Sequence, residues 1–140
     1  MNPKAKGYLS LARRGRMLEV GEEPVGAACR ACHARLIVVA SDASEHSIRR
    51  VKSFVAGTKQ PWLQLDITRD ELGDAVGYSA CAMAAMTDVR LALAFVQALG
   101  EPERYEALLK DLQERANRVE QRQREEKAHQ KNVRRGGKKK

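Results

Sequence analysis

Cys29-Arg30-Ala31-Cys32, with His33 directly after it, has the spacing that thiol redox or metal chemistry would use. A redox pair needs its reactive thiolate at a helix N-terminus, where the dipole lowers the thiol pKa. Here Val25, Ala28 and Cys29 recur at helical spacing, which puts the pair at the C-terminal end of a predicted helix, where the dipole has the opposite sign. Structural zinc takes four ligands, and Cys81, His46 and His129 are scattered along the chain. The sequence contains no glycine-rich phosphate loop and no nucleophile elbow, and His33, His46 and His129 form no local catalytic motif. Ser41-Asp42 and Asp42-Ala43-Ser44-Glu45 read more simply as helix caps. The expectation is a protein that is not an enzyme and holds no metal or cofactor, with Cys29 and Cys32 as a half-buried pair.

Charge is the stronger signal. The 140 residues carry a formal net charge of +8. Residues 1–100 hold 13 Lys/Arg against 10 Asp/Glu, and residues 101–140 hold 13 against 8. Six of the last ten residues are Lys or Arg, and none is acidic. Such a run attracts polyanions by releasing their condensed counterions, and RNA is the commonest cellular polyanion. A basic run carries no sequence specificity of its own. Met1-Asn2-Pro3-Lys4 lacks the apolar stretch of a secretory signal, and no run of about 18 apolar residues could span a membrane. Three cysteines imply no disulfide framework. These features point to a cytoplasmic protein.

The elements that must position any site come next. Aromatics make up only 4 % of the chain, so the core must be aliphatic. Tyr8 to Ala12 predicts a short helix, closed by Gly15 in the left-handed region. Met17 to Val20 predicts a strand, Gly21 a turn, and Glu22-Glu23-Pro24 the start of a second helix, where acids suit the dipole and proline is tolerated. Leu36 to Ala40 is a β-branched run expected of a central strand covered on both faces. Ile48, Val51 and Val55 mark the next helix, and Pro61 to Leu65 a strand. Thr68-Arg69-Asp70-Glu71 is a capping box, with Gly77 closing that helix. Ala80 to Met86 predicts the last strand, and Asp88 caps a helix ending at Gly100. After Glu101-Pro102, Tyr105, Leu108, Leu109, Leu112, Ala116 and Val119 form the stripe of a long amphipathic helix. The organisation expected is an α/β domain over residues 1–100, a charged amphipathic helix over 101–130 and a disordered basic tail over 131–140.

Taken in order, Leu11-Ala12-Arg13-Arg14-Gly15, Gly21-Glu22-Glu23, Leu36 through Ser44, Glu71-Leu72-Gly73, Gly77-Tyr78-Ser79-Ala80-Cys81 and Thr87-Asp88 resemble the kink-turn-binding ribosomal protein family (the L-seven-Ae/L-thirty-e family), and most of all its small bacterial ribosome-associated branch. The resemblance spans about residues 6–99. It implies a three-layer α/β/α sandwich around a mixed four-stranded sheet, here with a C-terminal helical extension. It also implies binding to a kinked helix–bulge–helix RNA. The first implied surface is the start of the second helix, at Gly21, Glu22, Glu23, Pro24 and Ala27; the second is the loop before the last strand, at Val76, Gly77, Tyr78, Ser79, Ala80 and Cys81. Tyr78 is the stacking candidate, because RNA-specific proteins rest unstacked bases on aromatic side chains. The family's best binders place Asn-Glu where this chain has Glu23-Pro24, and Lys where it has Ala27. Each charged hydrogen bond so lost costs about 1.5–3 kcal/mol. Arg13, Arg14, Arg16, Arg30 and Arg35 remain available to the RNA backbone. The leading expectation is thus a monomeric RNA-binding protein, associated with the ribosome or other structured RNA. The alternative is a protein–protein adaptor that kept the fold, lost specific RNA recognition and docks through the Tyr105–Val119 stripe.

Overall fold

Four consecutive apolar residues, Leu36 to Val39, can all leave water only if both faces of their strand are covered. The computed structural model describes the backbone of residues 1–138 and the side chains of residues 1–133, and in it all four are fully buried. The elements run α1 (Pro3–Arg14), β1 (Leu18–Val20), α2 (Glu22–Arg30), β2 (Leu36–Val39), α3 (Glu45–Val55), β3 (Trp62–Gln64), α4 (Arg69–Val76), β4 (Met83–Met86), α5 (Val89–Ala98) and α6 (Glu106–Lys138). The strands form one mixed sheet in the order β1-β4-β2-β3, with β2 and β3 parallel and the other pairs antiparallel.

Alternation along the central pair divides the core in two. Ile37, Val39, Met83 and Ala85 face α2 and α3, where they pack with Val25, Cys29 and Val51. Leu36, Val38, Ala84 and Met86 face the other way, into a larger core that includes Leu9, Leu72, Phe95 and Leu112. The result is the three-layer α/β arrangement with a mixed four-stranded sheet. Among the described residues, no helix is long and apolar enough to cross a membrane.

Local capping chemistry sets most helix starts. Ser44 accepts from the Ser47 amide and Asp88 from those of Arg90 and Leu91; Thr68 and Glu71 form the reciprocal capping box, and Gly77 closes α4 at φ 83°. Three boundaries differ from the sequence expectation. Helix α1 begins at Pro3, five residues before the apolar cluster. Asn2 accepts from the Ala5 amide and donates to the Ala98 carbonyl, tying the cap to α5. Its left-handed residue is Arg16, at φ 59°, and Gly15 lies at φ −82°. Strand β4 starts at Met83 and not at Ala80. Residues 78–81 hydrogen-bond to α4 instead of the sheet: the Tyr78 amide donates to the Gly73 carbonyl at 2.8 Å and the Cys81 amide to the Arg69 carbonyl at 2.9 Å.

The third difference concerns the C-terminal helix. The stripe from Tyr105 to Val119 packs on the larger core, with Leu112 and Ala116 fully within it, so this surface is covered by the protein's own domain. Beyond Val119 the helix leaves the core but continues, without a break at residue 130, to Lys138. The run from Glu120 to Gln130 contains mostly strong helix formers and no glycine or proline, which removes any local reason to stop there. Of the expected disordered tail, Lys139 and Lys140 lie outside the described residues.

Two expectations follow from this packing. Leu112→Ala removes a fully buried side chain and should cost about 2–5 kcal/mol in urea unfolding, in a single transition; an unchanged midpoint would mean that α6 is not part of the core. At Gly73 a methyl group would sit 2.8 Å from the backbone of Ala80 and from the Tyr78 carbonyl. Gly73→Ala should therefore lower stability by about 1–3 kcal/mol, as overpacking does, and displace the 78–80 loop.

Candidate nucleic-acid interface

The end of the sheet where β1 and β2 finish and β4 begins brings the two implied surfaces together. Gly21, at φ 99°, turns the chain from β1 into α2, a conformation that side chains rarely adopt. Its amide donates to the Met83 carbonyl at 3.1 Å, and its own carbonyl receives the Val25 amide. The α2 N-terminus is thereby fixed to the residue that ends the 77–82 loop. The first amides of a helix have no intrahelical partner and favour an anion. Pro24 removes one of them.

Glu22 and Glu23 differ in what they present. The Glu22 carboxylate accepts from the Arg50 guanidinium of α3 and lies 3.8 Å from the His46 ring. Arg50 also stands over the Phe54 ring, at 4.9 Å from its centroid. Glu22 is therefore tied to α3 with its charge balanced, which leaves Glu23 as the exposed carboxylate of the first turn. Pro24 and Ala27 are exposed on the same helix.

In the loop, Gly77, Tyr78, Ser79 and Ala80 are exposed, and Val76 is buried. The Tyr78 ring is 45 % exposed, enough to meet a ligand with one face. From α1, Arg13 places its guanidinium 5.2 Å from the ring centroid and donates to the Tyr78 hydroxyl at 3.3 Å. A cation over an aromatic face is attracted to its quadrupole, and an arginine so placed can still offer donors to phosphate. Arg14, exposed in the same last turn of α1, adds a second charge.

Two of the expected contacts lie elsewhere. Cys81 is 4 % exposed, and its thiol donates to the Met83 carbonyl at 3.2 Å. Burial pushes that thiol up to about 11. It supports the loop from inside because its amide is held by α4. Arg30 is exposed but sits in the last turn of α2, more than two turns from Gly21. The Glu22–Arg50 pairing and the Arg13–Tyr78 stack join residues 28 and 65 positions apart, and no local pattern signals either.

The CxxC forms a structural turn. Cys29 lies in the last turn of α2 and is buried, whereas Cys32 is exposed at φ 57°. Burial raises the Cys29 thiol, and the neighbouring Arg30 charge offsets this in part. Buried Gln60 donates to the Cys29 carbonyl and accepts from the Ala34 amide, both at 3.1 Å, pinning the turn. Among the described residues, no group of three or more His, Cys, Asp or Glu side chains is placed to hold a metal ion.

At the opposite end of the sheet, where β2 and β3 begin, a second feature was not visible from sequence. Arg35 and Lys59 face Arg115, Arg118 and Arg122 of α6 across an open cleft. The i, i+3, i+7 spacing of the three α6 arginines was there to be read, but what they face was not.

No known family profile matches the chain, and no curated protein matches it. Solved structures do. One, described as a protein with unknown function from Bacillus halodurans C, shares 26 % identity at a TM-score of 0.60, covering 67 % of this chain and 98 % of its own. Another, a Giardia lamblia 15.5kD RNA binding protein, shares 15 % identity at a TM-score of 0.57, covering 74 % of this chain and 98 % of its own. At that identity the second likeness is one of fold.

Proposed function

We propose that the protein is a non-catalytic RNA-binding protein that recognises structured, kink-turn-like RNA at the end of the sheet formed by α2 and the 77–80 loop. The observation that carries this reading is the exposed Tyr78 ring, backed by Arg13 and carried on the loop whose far end, Met83, is hydrogen-bonded to Gly21 at the start of α2. An unstacked base rests on Tyr78, Arg13 and Arg14 meet the adjoining phosphates, and the first turn of α2 accepts another. Balancing of Glu22 by Arg50 supports the reading, because it lowers the repulsion that two acids at this turn would otherwise exert. The RNA-binding Giardia lamblia protein of similar fold supports it as well. With Pro24 and Ala27 on the helix, stacking and backbone contacts carry the affinity and guanine reading contributes less. We propose ribosomal or other structured RNA as the partner, the cytoplasm as the location and a monomer as the acting form. The adaptor alternative loses its docking surface, since α6 turns the Tyr105–Val119 stripe onto its own core.

Titration against a kink-turn RNA, a plain duplex and a single strand, each at two salt concentrations, tests the proposal. The kink-turn should bind most tightly, and the preference should persist at the higher salt. Tyr78→Ala should weaken kink-turn binding by about ten- to a hundredfold, since stacking one base is worth about 1–3 kcal/mol. Equal, salt-sensitive binding to all three RNAs would reduce the function to nonspecific electrostatics. Absence of binding to any of them would refute it.

A further inference from the structure

We propose that the cleft between α6 and the far end of the sheet is a second RNA contact, which grips the phosphodiester backbone of a helical stem. It rests on the RNA-binding reading above but uses none of the same residues. The cleft measures about 540 Å³, and Val89 and Val119 supply its apolar lining. Among its cations, Arg35 donates to the Cys32 carbonyl at 3.1 Å and Arg118 to the Glu114 carbonyl at 3.4 Å, each within its own segment, and Arg115 is tied across the cleft. Arg115 pairs with Asp111 at 3.1 Å and donates to the Lys59 carbonyl at 2.6 Å, locking the loop before β3 onto α6. Arg35, Lys59, Arg118 and Arg122 remain, facing one carboxylate, that of Glu114, and none of the four forms an ion pair among the described residues.

Four like charges converging on one groove repel each other, and an anion placed between them relieves that repulsion. The shape selects a polymer over a small anion. Arg118 and Arg122 are one helical turn apart, about 5–6 Å between Cβ atoms, so the charges form a row along α6 and not a pocket around one point. The arginines offer paired donors suited to phosphate oxygens. The apolar residues between them offer nothing to base edges, so the contact is to backbone and is indifferent to sequence.

Position adds to the case. Arg35 directly precedes β2, and its amide donates to the Met86 carbonyl at the end of β4. Tyr78 and Gly21 belong to the other end of the same strands. A four-residue strand spans about 13 Å at about 3.3 Å per residue. A single nucleotide cannot reach both ends, whereas a stem running on from the base at Tyr78 can.

The test uses the full-length Arg118→Ala/Arg122→Ala protein, whose altered side chains are exposed and which should melt at the wild-type temperature. Its RNAs are a stem–loop with an unpaired internal loop and the corresponding plain duplex, titrated between about 50 and 200 mM salt. Loss of two phosphate contacts should make the slope of log affinity against log salt shallower by about 2 and weaken both RNAs by about tenfold at the lowest salt. Arg118→Lys/Arg122→Lys keeps the charges and should keep the wild-type slope. If the lysine variant loses as much as the alanine one, the arginines act through packing and the proposal fails. It also fails, while the function stands, if wild-type protein binds RNA and the alanine variant binds with the same affinity and slope. No wild-type binding overturns both. Weakening by the cleft variant but not by Tyr78→Ala leaves the cleft standing and removes the Tyr78 site.

Discussion

The antiparallel pairing of β2 with β4 is the constraint on which the rest of the molecule depends. All eight residues of the two strands are buried, so their side chains must find apolar partners on both sides of the sheet. A Val, Leu, Ile or Met side chain taken out of water contributes about 1.5–3 kcal/mol, and this is what draws α2 and α3 to one face and α1, α4, α5 and α6 to the other. With few aromatics available, the sheet meets its helices through small residues at Ala84 and Ala85 and through Leu, Val and Met elsewhere. The larger core is incomplete without α6, because Leu112 and Ala116 belong to it.

That pairing also decides what can stand beside what. Because β4 runs against β2 and β1, the loop entering β4 arrives where β1 leaves for α2, and the Gly21–Met83 hydrogen bond closes the junction. The close approach of Gly73 to residues 78 and 80 then lifts Tyr78 to the surface on a rigid base. The Glu22–Arg50 pair is partly exposed, and pairs of that kind contribute about 0–1 kcal/mol to stability. Its larger effect is on the potential of the surface, since it neutralises one of the two acids at the start of α2.

Sequence revealed the features whose causes are local. The β-branched run at Leu36–Val39, the caps at Ser44, Thr68 and Asp88 and the stripe of α6 each carry their signal within a few residues, and each is where that signal puts it. Asn2-Pro3 is an equally local cap, but it lies five residues before the apolar pattern of α1 begins, so the pattern does not point to it. The start of β4 was harder in kind. From Ala80 to Met86 every residue is small or apolar, so nothing alternates, and the boundary is set by hydrogen bonds from residues 78 and 81 to α4. The inward turn of Cys81 follows from the same bonds. The Arg13–Tyr78 stack, the Glu22–Arg50 pair and the cleft beside α6 bring distant segments together and have no one-dimensional signature.

The +8 charge takes on a different meaning once it is placed in space. Cations on an unconstrained run attract any polyanion equally, because the charges can follow whatever backbone is offered. Cations held on α6 opposite Arg35 and Lys59 have fixed spacing, and Arg115 fixes the loop that carries Lys59. A backbone of matching course meets more of them at once than one of different course. Electrostatics without base contacts can therefore favour one shape over another, with preference coming from the helix that spaces the charges and attraction from the total. On the proposed reading, such a row adds contacts along a stem, where the exposed Pro24 and Ala27 of α2 offer no charged side chain.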